Sequence, residues 1–118
     1  MFMIMKEFRF EAAHSLSHLP EGHKCKRVHG HSYRVQVVIE SPQLDDRGFC
    51  QLDYSDLDEF KKYLDETFDH RNLNEVLPFR TTAENIAKYL YERARETSMF
   101  VSAVRVSETN NTWAEYRM

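Results

Sequence analysis

The chain has 118 residues, 42% of them hydrophobic, and a formal net charge of -3. That length suits a single domain, residues 1–118, with a core modest enough that oligomerisation would help it bury more surface. The acidic balance argues against non-specific nucleic-acid binding, which needs a basic footprint. The two cysteines, Cys25 and Cys50, do not make a disulfide framework, so a reducing, cytoplasmic location is expected.

The apolar run Met1–Met5 is too short for a signal-peptide core or a membrane span, and no membrane partner is expected. From Ile4 to His14 the residues alternate. Phe8, Phe10, Ala12 and His14 share one face, and Glu7, Arg9 and Glu11 share the other, which is strand periodicity. His29 to Ile39 repeats the pattern, with His29, His31, Tyr33, Val35, Val37 and Ile39 on one face. An antiparallel pairing of these strands sets His14 beside His29 and His31, with residues 15–28 as the connecting loop. Ser41-Pro42 and Asp45-Asp46-Arg47-Gly48 carry turn chemistry, and Phe49 to Tyr54 reads as a possible extension of the sheet. Leu57, Phe60, Leu64 and Phe68 recur at helical steps from a start at Ser55. Asp69 to Pro78 reads as a polar loop. A second helix follows with Ala83, Ile86, Ala87, Leu90, Tyr91 and Ala94 on one stripe, and Thr81-x-x-Glu84 fits a capping box at its start. Phe100 to Glu108 alternates again, Asn110-Asn111 marks a turn, and Thr112 to Arg117 is a last strand. The order β-β-α-α-β-β predicts an α+β fold with an antiparallel sheet.

The chemistry concentrates where the first two strands meet. His29 and His31, two apart on a strand, point the same way, and His14 ends the neighbouring run. Three imidazoles without a fourth protein ligand are the pattern of a catalytic zinc with one open position. His18 and His23 are read as ordinary surface or core histidines. Cys25 lies on the connecting loop beside Lys24, Lys26 and Arg27. It fits two roles: a fourth ligand closing a structural site, or a reactive thiolate favoured by nearby positive charge. Cys50 reads as a small apolar residue. Asp69-His70 sets a carboxylate beside an imidazole, which suits proton transfer but is also common as a helix-end Asp next to a surface His. Glu108 ends an apolar strand face; it is either solvated there or accepts paired N–H donors from a planar heterocycle. The basic cluster Lys24, Lys26 and Arg27 reads as solvated loop charge or as the contact for an anionic substrate.

Together the segments FEAAH (10–14), EGHKC (21–25), CKRVHGH (25–31), FDHRNLN (68–74), TAEN (82–85) and SET (107–109) resemble the 6-pyruvoyl-tetrahydropterin synthase and 6-carboxytetrahydropterin synthase superfamily, over nearly the whole chain. The resemblance implies a tunnelling fold (T-fold), a four-stranded antiparallel sheet with two helices on one face. It further implies a homohexamer made of two stacked trimers with active sites between subunits. It implies zinc on His14, His29 and His31, proton transfer by Cys25 with Asp69 and His70, and a pterin pocket formed by Glu108 with Thr82 and Glu84. The implied substrate is 7,8-dihydroneopterin triphosphate. The three-residue spacer between Cys25 and His29-Gly30-His31 resembles the bacterial 6-carboxy type, which releases acetaldehyde and triphosphate on the path to queuosine. The alternative within the family is the 6-pyruvoyl synthase. The alternative outside it is a non-catalytic module closed by Cys25 and the three histidines. The chain departs from the family in having Thr81 where a proline usually precedes the T-x-E-N motif.

Overall fold

The computed structural model describes residues 1–118. Strand β1 (Phe2–His14) and strand β2 (His29–Ser41) form a long antiparallel ladder. Its register sets Phe10 opposite Tyr33, Ala12 opposite His31 and His14 opposite His29, as the alternation predicts. Helix α1 spans Asp58–Thr67 and α3 spans Ala83–Thr97, with a two-residue strand β3 (Arg71–Asn72) and a short helix α2 (Leu73–Val76) between them. β4 (Val101–Ser107) and β5 (Ala114–Arg117) complete a sheet ordered β3-β1-β2-β4-β5. All pairings are antiparallel except β1 with β3.

The core lies between one face of this sheet and the helices. Phe8 meets Phe60 of α1 edge-on at 5.4 Å, Phe10 stacks on Tyr33 at 4.9 Å, and Tyr91 of α3 meets Tyr116 of β5 at 5.1 Å. Val35, Val37 and Ile39 are fully buried and belong to one continuous cluster with Ile86, Ala87 and Leu90 of α3. Complete burial of each such side chain contributes about 1.5–3 kcal/mol, which is why the apolar stripes fix the layering.

Five expectations change. The sheet has five strands rather than four, because β3 adds to the free edge of β1 at Ala12 and Ala13. The segment Asp69–Pro78 is therefore not simply a polar loop. Leu73 and Leu77 are buried, and the Asn72 side chain accepts from the Asn74 N–H to start α2. Phe49–Tyr54 does not extend the sheet: Gln51 has φ +69°, a left-handed conformation that breaks strand alternation. A 3-10 turn at Tyr54–Leu57, capped by Asp53 with Asp56, then leads into α1 at Asp58 rather than Ser55. Finally, Thr82, not Thr81, caps α3, accepting from the Asn85 N–H at 3.2 Å. No helix is long and apolar enough to cross a membrane.

Candidate metal centre and flanking clefts

The ladder register brings His14, His29 and His31 together. Their ring centroids lie 4.6–5.0 Å apart, and one nitrogen of each falls within 4.8 Å of the others. His14 is fully buried. Its Nδ1 lies 2.9 Å from the carbonyl oxygen of Thr81 and 3.1 Å from the Thr81 hydroxyl. A carbonyl only accepts, so Nδ1 carries the proton and Nε2 presents a lone pair. His29 is fixed the same way, donating from Nδ1 to the Arg27 carbonyl at 2.7 Å. Orienting bonds of this kind, from the far ring nitrogen to a carbonyl, accompany metal-ligating histidines.

The Nε2 atoms of all three rings are buried and make no hydrogen bond. The Glu108 carboxylate stands 3.2 Å from His14 Nε2 and 3.1 Å from His31 Nε2. These are ion-pair distances without the alignment of a hydrogen bond, so the nitrogens remain orphaned. Three imidazoles with convergent nitrogens that make no hydrogen bond fit zinc by donor type and number. Burial keeps the His31 imidazole below its ordinary range, against the pull of Glu108. Burial also disfavours the Glu108 carboxylate, but the His14 contact and the charges of His14, His31 and His29 outweigh it and hold the group below its usual range. The Tyr33 hydroxyl, fully buried beside His14 and His31, has no partner, and burial pushes its phenol well up.

Cys25 stands apart from this cluster. It sits half-buried on a 3-10 turn (Lys24–Lys26), its N–H donating to His23 Nδ1 at 3.1 Å and its carbonyl accepting from Leu16 at 2.8 Å. Its thiol makes no hydrogen bond and is not among the groups that converge with the three imidazoles. Lys24 and Arg27 are exposed, and Lys26 pairs with Glu21. His18 and His23 are exposed, as expected.

Asp69 and His70 do meet, with Asp69 Oδ2 2.8 Å from His70 Nδ1. The backbone of Glu11 grips both. Its N–H donates to Asp69 Oδ1 at 2.9 Å, and its carbonyl accepts from the His70 N–H at 2.6 Å. The Glu11 N–H and then His70 hold the Asp69 carboxyl below its ordinary range. His70 adopts φ +60°, a costly conformation for a residue other than glycine. A cleft of about 510 Å³ beside β1 is lined by His70, Arg71 and His31, joining the dipeptide to the histidine cluster. On the other side, a cleft of about 300 Å³ is lined by Glu84 and Glu108. Thr82 is occupied as the α3 cap, and its hydroxyl spends a lone pair on Asn85.

Two supports escaped the sequence reading. Thr81 looked like a helix cap but turns inward to His14; the only hint is a doubled threonine where one cap suffices. Asn74 accepts from the Ser15 N–H at 2.7 Å and donates to the Ser15 carbonyl at 3.0 Å, anchoring the chain just after His14.

The fold is that of a T-fold protein. Within that class the chain belongs to the 6-pyruvoyl tetrahydropterin synthase family, whose profile matches residues 3–118. It is 34% identical to the 6-carboxy-5,6,7,8-tetrahydropterin synthase of Haemophilus influenzae over 99% of both chains. It is 38% identical to a protein of the same name from Synechocystis, covering 98% of this chain and 93% of that one. The solved 6-pyruvoyl tetrahydropterin synthase of Caenorhabditis elegans superposes with a TM-score of 0.85 at 26% identity, covering 99% of this chain and 95% of that one.

Proposed function

We propose that the chain is a zinc-dependent lyase that converts 7,8-dihydroneopterin triphosphate to 6-carboxy-5,6,7,8-tetrahydropterin, releasing acetaldehyde and triphosphate, as a step toward queuosine. The observation that carries this reading is the trio of orphaned, convergent imidazole nitrogens with Glu108 on one side and the Asp69–His70 pair on the other. A structural zinc site needs neither flank. The 6-carboxy branch is favoured over the 6-pyruvoyl branch by relatives of that name at 34% and 38% identity.

His14, His29 and His31 hold the zinc, which when bound supplies Lewis acidity toward the substrate's side-chain oxygens. Glu108 accepts the N–H donors of the 2-amino-4-oxo edge of the ring, turning from His14 and His31 toward the cleft it shares with Glu84, while Thr82 contributes as the cap of the helix that carries Glu84. Asp69 accepts from His70 Nδ1–H, which leaves His70 Nε2 as the proton acceptor. Cys25 moves the second proton as a thiolate.

Cys25 makes no contact with Asp69 or His70 in one chain, and the reading therefore includes assembly into a hexamer with active sites between subunits. Two observations support assembly. From Phe2 to Phe10 the outer edge of β1 pairs with no strand, and the sheet face opposite the helices carries no covering layer.

The test is incubation of the zinc-loaded protein with 7,8-dihydroneopterin triphosphate and mass analysis of the products. Acetaldehyde with a 6-carboxy pterin is expected. Triphosphate release without acetaldehyde would move the assignment to the 6-pyruvoyl branch, and unchanged substrate would overturn it. Cys25→Ala should keep its zinc while turnover falls about 10²–10⁴-fold, the size of a lost acid–base group. Loss of zinc from that variant would instead make Cys25 a ligand.

A further inference from the structure

The cleft that Glu108 shares with Glu84 has a third prominent wall, Trp113, the chain's single tryptophan. An exposed aromatic alone needs no explanation, but this one is held in place. The Arg34 guanidinium lies over the indole at 4.6 Å from its centroid. Arg34 is itself fixed, its Nη2 donating to the Ser107 hydroxyl and to the carbonyls of Thr109 and Asn110, each at 3.2 Å. A clamped cation thus backs the ring, while Trp113 stays 41% exposed and borders the cleft. Ordering an indole in advance removes part of the entropy that a ligand would otherwise have to supply.

The charge of the cleft selects what enters. Its acidic groups are Glu84, Glu108 and Glu115. Glu115 is neutralised by Arg105 at 2.6 Å and Arg117 at 2.9 Å, whereas Glu84 pairs with no cation in the chain. Such a cleft repels phosphate and suits a flat heterocycle presenting N–H donors.

We propose that Trp113 is the stacking wall of the ring pocket, packing against the face of the bound pterin while Glu108 accepts from its edge. The inference rests on the pterin reading above. It also orients the substrate: the ring enters between Trp113 and Glu108, and the triphosphate stays outside this acid-lined cleft. Arg34 acts as a positioning residue, through the indole.

Equilibrium dialysis of the zinc-loaded protein against 7,8-dihydroneopterin, which has the ring without the triphosphate, tests this. Trp113→Ala should bind about tenfold more weakly, the scale of a lost stacking partner for a heterocycle. Trp113→Phe should stay within about threefold, because it keeps a π-face. Arg34→Met should show a smaller loss. All three should match the parent in zinc content. The parent's tryptophan emission, excited selectively over its six tyrosines and so from this one indole, should be quenched by 7,8-dihydroneopterin and not by inorganic triphosphate. A folded Trp113→Ala protein that binds as tightly as the parent, while Glu108→Gln loses binding, overturns the inference and leaves the pterin reading standing. If Trp113→Ala does not fold, absence of quenching in the parent at saturating ligand overturns it. A parent that does not bind 7,8-dihydroneopterin refutes the pterin reading and the inference with it.

Discussion

His14 is oriented by a residue 67 positions away, and that dependence is testable. Thr81→Ala removes the hydroxyl beside Nδ1 and loosens the segment whose carbonyl fixes the ring. Zinc affinity, measured by competition with a chromogenic chelator, should fall about tenfold, the low end for loss of an outer-shell partner. At this scale the sequence made the histidine trio legible and hid what holds it in place. H-x-H on a strand is a local pattern, so His29 and His31 were legible, and His14 followed from the ladder. Thr81 and Asn74 reach their partners only after the chain has folded back, and no periodicity encodes that. The contact of Glu108 with two imidazoles was equally out of reach, because it needs β4 to pair beside β2 with Ser107 opposite Arg34.

Among the elements, β1, β2 and α3 were readable because each repeats one period over many residues. β3 was not, since two residues carry no period and their pairing follows from where Leu73 and Leu77 are buried. Phe49–Tyr54 misled for the opposite reason. Cys50 and Leu52 are buried like strand residues, yet Gln51 turns through a left-handed conformation between them. Two substitutions check the helical layer. Thr82→Ala removes the α3 cap and should cost about 1 kcal/mol in urea unfolding without lowering zinc affinity, which separates it from Thr81→Ala. Phe60→Ala empties the contact with Phe8 and should cost about 3–5 kcal/mol, with helix content retained until the cooperative transition.

The whole molecule is elongated, 55 × 26 × 24 Å, with a radius of gyration of 15.4 Å. A compact domain of this length has about 13.5 Å, so the fold exposes more surface than a self-sufficient monomer would. Light scattering at micromolar concentration should report a mass several times the protomer's; a monomer there would count against assembly. His31 makes one contribution to the protein's response to acid. Its folded-state affinity for protons is below that of the unfolded chain, so unfolding takes up protons as pH falls through about 6.5. The melting temperature of chelator-treated protein should therefore drop between pH 7 and pH 5, and His31→Asn should flatten that slope. One peptide unit ties these scales together. Glu11 uses its own N–H and carbonyl to seat Asp69 and His70, three residues before His14 in the same strand. Of the side-chain replacements at position 11, only proline, which has no N–H, removes part of that grip directly, yet one residue inserted between Glu11 and His14 would throw His14 onto the opposite side of the sheet or shift the Glu11 amide away from its dipeptide. The span from 11 to 14 is therefore a ruler between two chemistries, set by its length.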